Sequence, residues 1–85
     1  KAEASAPGSD DDLKAVRTAL DFEAKGEKFY AQLRDASTDP KEKAFFEILS
    51  KMERQHFLSL KDTEEYFTDP AGWFRKKEHH GVDGA

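Results

Sequence analysis

The sequence predicts an all-α protein, an antiparallel helical hairpin that dimerises into a four-helix bundle. Three observations lead there. Apolar residues recur at alternating spacings of three and four along two long stretches, the signature of amphipathic helices. The link between the stretches, Ala36-Ser37-Thr38-Asp39, is too short for anything but antiparallel neighbours. Finally, a chain of 85 residues with no cysteine has neither the length nor the disulfides to stand on a large core. Oligomerisation, a metal held by oxygen and nitrogen ligands, or both must supply the missing stability.

Taken in order, residues 1–10 mix Ala, Ser, Pro7 and Gly8 without apolar periodicity and read as a disordered tail or linker. Ser9-Asp10-Asp11-Asp12 suits a helix start, because a capping oxygen and first-turn acids satisfy free N–H groups and the positive dipole end. The first helix is expected over about 11–35. Leu13, Val16, Leu20, Glu23, Glu27, Tyr30 and Arg34 form one row, with Ala19, Phe22, Gly26, Phe29 and Leu33 beside it. Asp39-Pro40-Lys41-Glu42 combines an N-cap, a proline at the first helical position and a capping-box glutamate. The second helix runs from there to about Phe67, with Phe45, Ile48, Leu49, Met52, His56, Leu60 and Phe67 on one side. Phe46, Glu53, Phe57 and Glu64 lie alongside. Asp69-Pro70 reads as a stop, Ala71-Gly72 as a turn, and Trp73-Phe74 as apolar groups folding back on the bundle end. Residues 69–85 are thus expected to form a turn, a short piece of helix and a frayed tail, leaving 11–68 as the hairpin.

Composition narrows the function. A net charge of −4 with acids and bases interleaved offers no basic stripe for nucleic acid. No apolar run approaches the roughly 20 residues of a membrane span, and the start lacks the basic-then-apolar order of a signal peptide, so the expected location is cytoplasmic. Without cysteine, thiolate zinc and iron–sulfur sites are excluded.

A lone buried carboxylate costs several kcal/mol unless it is paired, protonated or bound to metal. Yet Glu23, Glu27, Glu53 and His56 all fall on faces that otherwise read as core. Glu53-Arg54-Gln55-His56 is Glu-x-x-His, whose spacing lets carboxylate and imidazole reach one cation from one helical surface. Di-iron carboxylate bundles use a Glu from each of two helices and a Glu-x-x-His from each of the other two. One hairpin holds half of that set in Glu23, Glu53 and His56. Two hairpins related by a two-fold axis complete a shell of four carboxylates and two imidazoles suited to iron or manganese. Glu27 is a further candidate ligand, equally placed to reach the edge and pair with Lys28 or Lys51. His79-His80 lie in a polar tail and read as solvated. Zinc held by Glu53 and His56 without redox chemistry is a separate reading.

Phe22-Glu23-Ala24-Lys25-Gly26-Glu27-Lys28-Phe29-Tyr30, with Phe46 to His56 and its Glu-x-x-His further along, resembles the rubrerythrin branch of the ferritin-like superfamily. Asp69-Pro70-Ala71-Gly72-Trp73-Phe74 resembles a segment found after the last bundle helix in such proteins. The resemblance implies a ferritin-like bundle and a di-iron centre. In it Glu23 and Glu53 would be bridging or terminal carboxylates, His56 a terminal imidazole, and Tyr30 a hydrogen-bond donor to a ligand carboxylate. It also implies an oxidoreductase, with ferrous oxidation or peroxide reduction as its chemistry. Family members commonly carry four bundle helices in one chain, whereas this sequence has two. The cysteine pairs of a rubredoxin module are missing, so electrons would come from an external donor. The competing function is non-catalytic, a hairpin that dimerises or docks a partner through its apolar face.

Overall fold

The computed structural model describes the backbone of residues 9–84 and the side chains of residues 9–78. Of the tail expected over 1–10 only Ser9 and Asp10 are described, and the side chains of His79 and His80 lie outside those bounds. Every regular element among the described residues is helical: α1 (Asp10–Ala36), α2 (Pro40–Thr68) and α3 (Pro70–Gly84).

Local chemistry accounts for each helix boundary. Ser9 caps α1, its hydroxyl accepting from the Asp12 N–H at 3.2 Å, with Asp10, Asp11 and Asp12 in the first turn. At the other end of α1 the Ser37 hydroxyl donates to the Leu33 carbonyl at 2.8 Å, and Lys43 reaches back to the Arg34 carbonyl at 3.1 Å. Asp39 caps α2 by accepting from the Lys41 N–H at 3.2 Å, and Pro40 opens the helix. Arg34 pins the closed end of the hairpin, donating to Asp35 at 2.9 Å and across to Glu47 at 2.6 Å. Its hydrogen bonds and charge hold both carboxyls below their usual range. At the open end Glu64 accepts from Arg17 and from Lys61, each at 2.9 Å. Those two hydrogen bonds, Arg17's first, lower the Glu64 carboxyl in the same way.

Between these ends α1 and α2 pack along a thin seam. Its buried positions are Val16 and Leu20 on α1 and Ser50 on α2. Ser50 lets the backbones come close enough for its hydroxyl to donate to the Glu27 carbonyl at 3.4 Å. The hairpin does not cover its second apolar rows. Phe22 is 72% exposed, and Phe29, Phe45, Ile48 and Met52 are also exposed. Gly26 faces Glu53 and Glu23 faces His56, which sets both rows on the same side of the hairpin. The residues Phe45, Ile48, Met52 and His56, read from the sequence as an apolar row, therefore lie outside the core of a single chain.

One expectation needs correcting. Residues 69–84 do not make a turn with a short piece of helix, because Pro70–Gly84 forms a third helix of 15 residues. Asp69 explains it, since its carboxylate accepts from the Gly72 N–H at 3.1 Å, as an N-cap does. Proline then occupies the first helical position. Trp73 docks α3 on α2, its indole N–H donating to Asp62 at 3.0 Å and its ring standing edge-on to Tyr66 at 5.1 Å between centroids. Lys76 pairs with Glu65 and Lys77 with Asp62. The expected fold-back of Trp73 is present; Phe74 stays exposed.

Candidate metal centre

Glu23 projects from the middle of α1, and Glu53 and His56 from the middle of α2. The antiparallel register brings the three together. Each offers one ligand atom, and these atoms lie within 4.8 Å of one another. The His56 Nδ1 is 3.4 Å from the Glu23 Oε1 and 3.7 Å from the Glu53 Oε1. One helical turn separates Glu53 from His56, so α2 supplies both as a unit while α1 supplies the opposing acid.

The electrostatics of the cluster are those of two acids crowded together. Glu53 is held above the usual carboxylate range, first because its protonated form hydrogen-bonds to Glu23, then through desolvation and the negative charge of Glu23. His56 opposes that shift. The Glu23 Oε1 is enclosed by protein without a hydrogen-bond partner, the one such side-chain atom among the described residues. An enclosed acceptor without a hydrogen bond is unusual in a folded chain, and the His56 Nδ1, long at 3.4 Å, does not supply one. A ligand set of two carboxylates and an imidazole fits a hard or borderline divalent cation such as iron or manganese, and zinc also accepts it. The imidazole is half exposed and stands on the same side of the hairpin as the uncovered apolar rows.

The remaining candidates lie elsewhere. Glu27 turns to the other side of the seam, where its carboxylate is 3.8 Å from Arg54, not beside Lys28 or Lys51. Tyr30 is half-buried with its ring against Phe29, 5.5 Å between centroids, and its hydroxyl bonds to neither carboxylate of the cluster. Two neighbours of the site escape a reading of the sequence. Ser50 sets the helix separation; its small side chain between Phe46 and Glu53 on the same stripe is the available signal. Arg54 holds Glu27 and also lies over the Phe57 ring at 5.8 Å, which nothing in the motif indicates. No helix among the described residues is long and apolar enough to cross a membrane. Comparison with protein-family models, with curated proteins and with solved structures finds no match to this chain.

Proposed function

We propose that this chain is half of a di-iron carboxylate bundle, completed when two hairpins pair through their exposed apolar faces. The observation that carries the reading is the enclosed, unpartnered Glu23 Oε1 facing His56 and Glu53 at the margin of that face. The nearest potential donor, the His56 Nδ1 at 3.4 Å, makes a long ion-pair contact with that oxygen but no hydrogen bond. A cation would satisfy it, relieve the crowding that raises Glu53, and use His56 as a neutral ligand. Pairing by a two-fold axis doubles every ligand, so the Glu23, Glu53 and His56 of each copy would face those of the other. Phe22, Phe29, Phe45, Ile48 and Met52 would then enclose the site and limit solvent access.

Held there by Glu23, Glu53 and His56, iron would supply redox chemistry, either ferrous oxidation by dioxygen or peroxide reduction with electrons from an external donor. The protein's own part is to hold the cations with Glu23, Glu53 and His56 and to keep bulk water off them. Metal analysis of purified variants tests the assignment. His56→Ala should lower iron content, whereas replacing His79 and His80 together should leave it unchanged. Equal loss from both would place the metal in the tail, and no iron in the wild type would favour a plain dimerisation hairpin.

A further inference from the structure

Gly26 sits in the middle of α1, where glycine weakens a helix relative to alanine. Steric exclusion within the hairpin does not account for it. A Cβ there would meet the Glu53 side chain first, at 3.4 Å from Cδ, 3.5 Å from Cγ and 3.6 Å from Oε1, all ordinary contact distances. What a methyl group would remove is the open space beside that carboxyl.

Glu53 has a use for the space. Its carboxyl stands beside the Glu23 carboxyl and the His56 imidazole, with one ligand atom of each within 4.8 Å of the others. Ligands about 2.0–2.2 Å from a common cation stand roughly 2.8–3.1 Å apart at octahedral angles and roughly 3.3–3.6 Å apart at tetrahedral angles. The Glu23 Oε1 is already 3.4 Å from the His56 Nδ1, but the Glu53 Oε1 is 3.7 Å away. Glu53 is therefore the ligand that has to turn, and the gap over Gly26 lies alongside it. Building on the metal-site reading above, we propose that Gly26 is a positioning residue, its missing side chain leaving the room in which the Glu53 carboxylate turns onto the cation.

The test uses cobalt(II) alone, titrated into wild type, Gly26→Ala, Glu53→Asp and the double variant and monitored by visible absorption. Thermal denaturation and sedimentation of the metal-free proteins accompany it. Metal-free Gly26→Ala should melt at or above the wild-type temperature and keep the wild-type oligomeric state. Its cobalt affinity should fall on the order of 10-fold, the scale seen when a group supporting a ligand is changed. Aspartate at position 53 withdraws the carboxyl from the methyl, so the penalty of Gly26→Ala should shrink in the Glu53→Asp background. Wild-type cobalt affinity in Gly26→Ala would overturn the proposal and leave the metal site standing. So would an undiminished penalty in the double variant, or loss of the dimer in Gly26→Ala, which would assign the glycine to close approach between copies. Failure of the wild type to bind cobalt would instead remove the metal-site reading itself.

Discussion

Phe22 is the most exposed large apolar side chain of the hairpin, with 72% of its surface open. Fully burying an aromatic side chain removes roughly 150–250 Å² from water, so about 110–180 Å² of this ring remains to be covered. At ~25 cal/mol per Å², covering all of it would contribute about 3–4 kcal/mol per copy. If a paired hairpin covers only half of each ring, the two copies together contribute a similar total. Phe22→Ser removes most of that area from both sides of a symmetric interface. With 1.4 kcal/mol for each tenfold change, the dimer dissociation constant should rise by about 100-fold or more. The isolated hairpin should be indifferent, because the ring packs on little within one chain. Sedimentation equilibrium over a concentration series gives the constant, and far-ultraviolet circular dichroism gives helix content. An unchanged association constant would refute the assignment of this face to a second copy. Lost helicity in the monomer would show that Phe22 belongs to the hairpin core.

Two further outcomes rest on the same geometry. Glu53 is held above its ordinary value of 4.5 in the folded metal-free chain, so the folded state takes up a proton before the unfolded chain does. Metal-free protein should gain stability as pH falls from 7 through that raised value, the gain being complete near 4.5. Below this, the lowered carboxyls of Glu64, Glu47 and Asp35 act in the opposite sense, and their contribution is lost as pH falls through their folded values. Urea denaturation at pH 7 and pH 5 checks the first window, and a Glu53→Gln variant that keeps the same rise would contradict it. Asp69→Ala should remove the α3 cap at a cost of about 1 kcal/mol. Fluorescence of Trp73 should then shift to the red without loss of the hairpin; an unmoved emission would mean that the cap does not hold the helix.

Much of the hairpin is legible in the sequence because its signals are local. Ser9 and Asp39 announce helix starts by side-chain chemistry, and the three-and-four spacing of Val16, Leu20 and Glu23 fixes which stripe meets the neighbour. The third helix is hidden by the same chemistry. Asp39-Pro40 reads as a start and Asp69-Pro70 as a stop, although an aspartate before a proline caps the next helix as readily as it ends the previous one. Only the Gly72 N–H and the docking of Trp73 on Asp62 separate the two readings, and those contacts are not in the local pattern. Periodicity locates Glu23, Glu53 and His56 on apolar rows, and the register of the hairpin brings them together. It does not assign Glu27, because a row wide enough to meet two helices does not say which side a residue at its edge will take. Arg54, one position beyond Glu53, decides that.

Thermal denaturation at pH 7, with and without manganese(II), of the wild type and of the Glu23→Gln/Glu53→Gln double variant, tests the central claim most directly. If the cluster is a metal site, the cation should raise the wild-type melting temperature increasingly with its concentration. The double variant, relieved of carboxylate crowding, should melt as high as metal-free wild type or higher and ignore the cation. A wild type indifferent to manganese, with a less stable double variant, would make the carboxylates structural partners of His56 and contradict the account.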